Sequence, residues 1–400
     1  MKKYDFETLL DRRGHDAIAI ENIGSSFGPG KPKEGFDPIP MWVADMNFPT
    51  ADSITEEIIK RAGHPAFGYF SPSGDYYDAI KYWHKLRKHT DDIKTEYIGY
   101  ENGVLGGVVS AIKVFAEPGD AVLLHSPTYL GFTHVVNGNG FHIVHSPLKR
   151  DQDGVWRMDY DDMDKKIKEN HIHVAIFCNP HNPCGRVWTK DEIKAAMEVY
   201  EKNDCYVICD EIWSDLMMNG NVYTPAQSVN EWAHDHVIAF YAPSKTFNLA
   251  GLVGSYSIIY NKFLRERVQG VSDRLVYNTM NVLSMHALIG AYSEEGNNWL
   301  DQLLPVLSHN VNIAESYVTE RFKGVTAMRT EGTYMMLLDL HDHLKETGRT
   351  QEEVLKNGWD YGIGWQDGHQ FEAPESIRLN LASPTTRIKE AFDRMEKYVF

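Results

Sequence analysis

Five short apolar runs through the middle of the chain constrain its fold more than any other feature. They are Ala121-Val-Leu-Leu124, His173-Val-Ala-Ile-Phe177, Cys205-Tyr-Val-Ile-Cys209, Val237-Ile-Ala-Phe-Tyr241 and Ser255-Tyr-Ser-Ile-Ile-Tyr260. Each is bounded by turn signals and reads as a strand. Between them lie amphipathic helical patterns such as Lys190-Asp-Glu-Ile-Lys-Ala-Ala-Met-Glu-Val-Tyr200. Buried strands separated by helices predict a three-layer α/β domain with a mostly parallel sheet, whose faces the helices cover. In open sheets of this kind ligands bind beyond the carboxyl ends of the strands.

The pattern changes near Asn281 to long helices, followed by a strand-like Thr333–Leu340. A glycine-rich stretch, Gly362-Ile-Gly-Trp-Gln-Asp-Gly368, precedes a short strand expected at Ser376-Ile-Arg-Leu-Asn380. This predicts a smaller α+β domain at 286–400, a large domain at 51–285, and an arm at 1–50 that packs with the small domain. Glycines and prolines punctuate that arm.

Bulk properties narrow the function classes. A formal charge of −16, with no basic tract to offset it, argues against nucleic acid as a partner. The N-terminus lacks the apolar stretch of a signal peptide, and no run has the roughly 18 apolar residues of a membrane span. A cytoplasmic protein is expected. Cys178, Cys184, Cys205 and Cys209 lack the spacing of a metal site and read as buried free thiols. The pairs His171/His173, His234/His236 and His341/His343 have no third ligand placed by sequence, so no metal is expected. There is no G-x-S-x-G elbow for Ser-His-Asp hydrolysis.

The chemistry-bearing residues fall where the strands should end. Lys245 follows one strand in Tyr241-Ala-Pro-Ser-Lys-Thr-Phe-Asn-Leu-Ala-Gly251, and a desolvated lysine there is a candidate Schiff-base former. Asp210 ends another strand, where its carboxylate can hold a ring nitrogen protonated, making the ring an electron sink. Phe177-Cys-Asn-Pro-His-Asn-Pro-Cys-Gly-Arg186 is stiffened by two Asn-Pro pairs, presenting the Asn182 amide as a donor. Glu101-Asn-Gly-Val-Leu-Gly-Gly107 opens an apolar helix whose free N–H groups suit a phosphate. Tyr129 is placed to stack on a flat ring, and Arg378 to clamp a carboxylate. Taken singly, each has an ordinary reading: a solvated lysine, a capping aspartate, a plain turn, a common helix start, a surface ion pair.

Together, Tyr129, Asn182-Pro-x-Gly185, Asp210-Glu-Ile, Ser244-Lys245 and Arg378 resemble the signature of fold-type I pyridoxal-phosphate enzymes of aminotransferase class I/II. Within that class, Val43-Ala-Asp-Met-Asn-Phe48, Phe67-Gly-Tyr69, Asp210-Glu-Ile-Trp-Ser-Asp215, Ser-Lys-Thr-Phe-Asn248 and Gly332-Thr-Tyr334 resemble the bacterial cystathionine β-lyase (C–S lyase) branch. The resemblance implies a PLP-dependent transferase-like fold, with pyridoxal 5′-phosphate held on Lys245 and its ring nitrogen paired with Asp210. Asn182 would bond the ring's phenolic oxygen and Tyr129 would stack on the ring. Gly103, Val104 and Ser244 would hold the phosphate, joined by Tyr69 from the other subunit of a homodimer whose sites lie at the interface. Arg378 would bind the substrate carboxylate, with Trp42, Tyr69 and Trp213 as pocket walls.

Two positions depart from the transaminase pattern. Trp213 stands where many transaminases carry a tyrosine, and Val253 where they carry a phosphate-gripping arginine. The lyase branch similarly tends to lack both. The cationic partner of the phosphate is therefore left unassigned. The implied activity is β-elimination from cystathionine or related S-substituted cysteines, giving a thiol, pyruvate and ammonia, in methionine biosynthesis. A class I/II aminotransferase is the alternative, and a regulatory binding protein on the same fold is a third.

Overall fold

The computed structural model describes residues 2–400. Its larger sheet has seven strands, numbered in chain order: β1 (Ile98–Asn102), β2 (Ala121–Ser126), β3 (His142–Pro147), β4 (Val174–Cys178), β5 (Tyr206–Asp210), β6 (Val237–Tyr241) and β7 (Gly254–Ile258). Across the sheet the order is β1-β7-β6-β5-β4-β2-β3. The strands from β6 to β3 pair in parallel, while β7 is antiparallel to both of its neighbours. The fold is α/β with a mixed, mostly parallel sheet, as expected.

All five apolar runs are strands, each within two residues of its expected limits. The two that carried no signal, β1 and β3, are the sheet edges. An edge strand has one side open, so Ile98-Gly-Tyr-Glu-Asn102 and His142-Ile-Val-His-Ser-Pro147 carry polar residues instead of a continuous apolar run.

Period-two alternation divides the central strands between two cores. Ile176, Ile208, Ile238 and Phe240 face the helix Val104–Phe115 through Val104, Val108 and Ile112. Ala175, Phe177, Val207, Cys209, Ala239 and Tyr241 face the other way, toward Ile193, Met197 and Tyr200 of the helix Lys190–Lys202. That helix starts at a capping box, in which Thr189 and Glu192 exchange side-chain-to-backbone bonds.

A 28-residue helix, Glu294–Arg321, leads to the smaller sheet. Its strands are β8 (Thr326–Ala327), β9 (Met335–Asp339), β10 (Gln366–Asp367) and β11 (Ser376–Asn380), antiparallel in the order β8-β9-β11-β10. The N-terminal segment joins this part of the molecule: Ile39–Pro40 pairs in parallel with Ile363–Gly364, and the Asn47 amide donates to Ala382. Among the described residues, no helix is long and apolar enough to cross a membrane.

One buried ion pair ties the helix Gly74–Arg87 to the sheet. Lys88, just past its end, donates to Asp215 (2.7 Å) and Ser214 (2.6 Å), with side chains 1% and 3% exposed for the Lys88–Asp215 pair. Asp215 also accepts from Trp83 Nε1 (3.1 Å to each oxygen) and Thr246 Oγ1 (2.9 Å). Removing one partner leaves the other charge buried and unpaired, which costs far more than loss of a surface pair. Lys88→Met should therefore lower stability by about 3–5 kcal/mol, read as a reduced urea midpoint. Lys262→Met, at an exposed i,i+4 pair, should leave the midpoint unchanged.

Candidate active site

Five segments leaving strand ends converge on one cavity of about 270 Å³. This lies near the small end of the roughly 300–1,000 Å³ range of small-molecule sites. Lys245, Asp210, Asn182, Tyr129, Gly103, Val104, Ser244 and Trp213 all line it. The site forms because β5 ends on Asp210, while the chain leaving β6 turns back through Pro243–Leu249, with Phe247 N–H on Pro243 O and Leu249 N–H on Ser244 O.

Burial sets the proton affinities of the two central groups. The Asp210 carboxyl is pushed up to about 7 by burial, against the Ile212 amide (3.0 Å) and the charge of Lys245. Burial, helped by Arg378 and opposed by Asp45 and Asp210, lowers the Lys245 amine to about 8. An amine so placed has a neutral, nucleophilic fraction near neutral pH far larger than that of a solvated lysine. Its Nζ donates to the Ala44 carbonyl at 3.0 Å and lies 5.8 Å from the Trp213 ring centre.

Arg378 is not the surface ion pair of the ordinary reading. It is 3% exposed, and it has no carboxylate partner among the described residues. Instead Nη1 donates to Asn182 Oδ1 (3.1 Å), and Nη2 donates to the Trp42 carbonyl (3.0 Å) and to Gln366 Oε1 (2.6 Å). The guanidinium stacks 4.1 Å from the Phe371 ring centre, and Nε has no partner. Burial lowers its pKa to about 10. A desolvated guanidinium surrounded by neutral acceptors is a site for a carboxylate. Because Asn182 offers its oxygen to Arg378, its amide nitrogen is left as the donor toward the cavity.

The glycine-rich turn has the form of an anion cradle. Gly103, at φ +88°, precedes the helix Val104–Phe115, and no side chain caps the first amides. Gly103 occupies a conformation that side-chain-bearing residues rarely adopt. Val253 stands beside it, itself left-handed at φ +65°. Among the described residues, no arginine or second lysine lines the cavity, so the phosphate cation left open by the sequence is not supplied by these loops.

Of the three residues expected as pocket walls, Trp213 lines the cavity within one chain and the other two do not. Trp42 contributes its carbonyl to Arg378, while its indole Nε1 turns to the Ala19 carbonyl (2.9 Å). Within one chain its ring is therefore not a cavity wall. Tyr69 lies fully exposed in a separate cleft with Phe67, Phe70, Tyr100 and Met280, apart from the other site residues of the same chain. Trp213 lines the cavity, packed edge-on against Tyr334 with centroids 4.8 Å apart. Among the paired histidines, His236 bonds the Trp232 carbonyl, His341 pairs with Glu375 and His343 bonds the Lys323 carbonyl.

Ala44, Gln366, Phe371 and Tyr334 had no role assigned from sequence. Ala44 and Gln366 act through backbone position or cross-strand register, which no residue type announces. Gln366 is the direct β10 partner of Arg378 on β11. Cys178, read only as a buried thiol, lines the cavity floor.

This donor set fits a pyridine ring carrying an aldehyde and a phosphate ester. A nucleophilic amine, a carboxylate for a ring nitrogen, an amide for a phenolic oxygen and an uncapped helix start for the phosphate all open on one cavity. The profile of aminotransferase class I and II matches residues 39–395. The chain is 34% identical over 394 residues to cystathionine β-lyase PatB of Bacillus subtilis (strain 168), covering 97% of this chain and 99% of PatB. Its structure is similar to cystalysin from Treponema denticola, which contains a pyridoxal 5′-phosphate cofactor, at TM-score 0.90 and 30% identity over 99% of this chain and 98% of that one. It is also similar to the PLP-bound C–S lyase from Staphylococcus hominis, at TM-score 0.88 and 29% identity over 99% of this chain and 98% of that one. On sequence and structure alike, the chain belongs to the aminotransferase class I and II family.

Proposed function

We propose that this protein is a pyridoxal-phosphate-dependent carbon–sulfur β-lyase acting on cystathionine or related S-substituted cysteines. The observation that carries this reading is the placing of the Lys245 amine, the Asp210 carboxyl and the Asn182 amide on one cavity, with the Arg378 guanidinium bonded to Asn182 at its edge. When bound, the cofactor supplies an electron-withdrawing ring into which the electrons of the substrate's Cα–H bond delocalise. Lys245 would hold the cofactor, and its Nζ, once free, would take the Cα proton. Asp210 keeps the ring nitrogen protonated, and a bound cation there favours the carboxylate form of a group that burial alone drives toward neutrality. Asn182 orients the ring through its amide nitrogen. Arg378 holds the substrate carboxylate and so fixes which Cα bond faces Lys245.

The uncapped amides at Gly103 and Val104, with Ser244, are assigned to the phosphate. Tyr69 is assigned to the phosphate of a second copy of the chain. Its support is the exposed run Phe67-Gly-Tyr-Phe70, where Phe67 is 57% and Phe70 37% exposed, a concentration of aromatic surface that water does not favour. A homodimer would cover it. We place the N-terminal arm at 1–50, the large domain at 51–285 and the small domain at 286–400. A cytoplasmic setting agrees with four buried, unpaired cysteines.

An aminotransferase would share every step through removal of the Cα proton. Trp213 and Val253 favour the lyase, as does the similarity to named lyases. Purified protein given cystathionine should release thiol and pyruvate without any added 2-oxo acid. Turnover that depends on such an acceptor would overturn the lyase assignment. Lys245→Ala should abolish that release, by at least about 10³-fold for loss of both nucleophile and base.

The raised Asp210 group also sets a stability trend in cofactor-free protein. Between its ordinary value of 3.8 and about 7, the folded state binds the proton that the unfolded state has lost. Stability from this group is thus complete below the lower value and declines as pH rises through the window. Asp210→Asn removes the titration, so cofactor-free variant should gain stability relative to wild type as pH goes from about 4 to 7. Parallel thermal-melting curves for the two proteins would contradict this.

A further inference from the structure

The backbone of Val43–Asn47 is held from several distant parts of the chain, and one of its carbonyls is the hydrogen-bond acceptor for Lys245. Asn380 Nδ2 donates to the carbonyls of Val43 and Asp45, at 2.6 Å each. Asn248 accepts from the Met46 amide (3.0 Å) and donates to the Met46 carbonyl (2.9 Å). Arg12 pairs with the Asp45 carboxylate (2.7 Å) and donates to the Met46 carbonyl (3.2 Å). Between these anchors, the Ala44 oxygen accepts from Lys245 Nζ and from the Tyr334 hydroxyl, both at 3.0 Å. A carbonyl oxygen has two lone pairs, and here each has a donor.

Tyr334 reaches that oxygen through a strained backbone. Thr333, fully buried, has φ +69°, where a β-branched residue is a genuine outlier. It is held there by its amide on the Leu216 carbonyl (2.8 Å) and by its Oγ1 accepting from the Met335 amide (3.0 Å). The turn sets the Tyr334 ring edge-on to Trp213, at 76° between planes, and its hydroxyl on Ala44. Strain of this kind persists where the surroundings over-determine a geometry, and it concentrates at functional sites. Asn248, beyond the lysine turn, is also left-handed at φ +59°.

We propose that the Ala44 carbonyl, locked by the Tyr334 hydroxyl, holds the free Lys245 amine during Cα proton transfer, which makes Tyr334 a positioning residue. The inference rests on the cofactor reading above. In the transfer, the Nζ lone pair forms an N–H bond with the Cα proton. The C–H electron pair stays with the substrate, and Nζ becomes an ammonium. That ammonium donates to Ala44, which offsets part of the burial and the Arg378 repulsion that disfavour it. With one N–H on a fixed oxygen, the amine rotates less and its lone pair keeps one direction. Tyr334 touches neither substrate nor proton; it occupies the second lone pair and keeps the peptide plane still.

The test is Tyr334→Phe, which removes one hydroxyl and keeps the ring against Trp213. Exchange of the Cα proton of L-alanine in D2O reports proton transfer without elimination. It should slow by about tenfold, the scale of one lost neutral hydrogen bond. The pH titration of cofactor absorbance in resting holoenzyme should not move, because Lys245 is then engaged with cofactor and not with Ala44. In cofactor-free protein, the pH midpoint of reductive methylation at Lys245 should fall by about half a unit or more, because the carbonyl that accepts from the ammonium is no longer held in place. Exchange within about twofold of wild type, or an unchanged methylation midpoint, would overturn the proposal. So would a change in the cofactor titration as large as the change in exchange, which would indicate general disturbance of the site. Asn248→Gly suits the same backbone conformation and frees Met46, so it should reproduce the slower exchange if Tyr334→Phe does not fold. Wild-type protein that exchanges no Cα proton would sink the cofactor reading, while the methylation midpoints would still decide the Ala44–Tyr334 contact.

Discussion

Desolvation of a single amine is the constraint on which the rest of this structure depends. In water the Lys245 side chain would be an ammonium, inert toward carbonyls. Burial and the neighbouring Arg378 lower its proton affinity until it is a usable nucleophile and base. That position is tenable only if the amine is not left without a partner. The Ala44 carbonyl supplies one, and the surrounding chain is arranged to keep that carbonyl in place. Asp210 is shaped by the same burial in the opposite sense: its carboxyl is raised when alone and is suited to sharing a site with a cation.

The sheet explains why these groups meet. Parallel strands β4, β5 and β6 deliver their carboxyl ends to one edge, and the residues after them bend over it. The smaller sheet adds Arg378 and Tyr334 from the other side, on β11 and in the turn before β9. The N-terminal segment runs between the two, and its backbone carbonyls are contacted from both. The site is thus assembled from parts of the chain more than 300 residues apart, as the Trp42–Arg378 and Val43–Asn380 bonds show. Contacts of that separation hold only while the tertiary packing holds, so folding and site geometry are one property here.

Legibility in the sequence followed the physics of each element. The five central strands were readable because burial on both faces demands continuous apolar runs. The edges β1 and β3 were not, because half-solvated strands tolerate polar residues. Lys245, Asp210, Asn182, Tyr129 and Gly103, which line one cavity, could be picked out because the chemistry expected of them needs particular side chains at strand ends, helix starts or rigid turns. Trp42 and Tyr69 were named as walls of the pocket, yet within one chain Trp42 offers a carbonyl and Tyr69 faces solvent. A ring's direction depends on what packs around it, and residue type carries no record of that. Ala44 stood inside the Val43–Phe48 motif with no role of its own, since any residue type presents the same carbonyl.

The sequence by itself determined the fold class, the places along the chain of the strands that carry the site and the kind of chemistry their ends could support. These depend on local hydrophobic period, turn chemistry and side-chain type, which are properties of adjacent residues. Only the tertiary structure decided that Arg378 is buried among neutral acceptors, that Asn182 turns its oxygen to Arg378, and that Tyr334 reaches the oxygen holding Lys245. Burial, hydrogen-bond direction and proton affinity are set by neighbours brought together across the chain, and those neighbours exist only after it has folded.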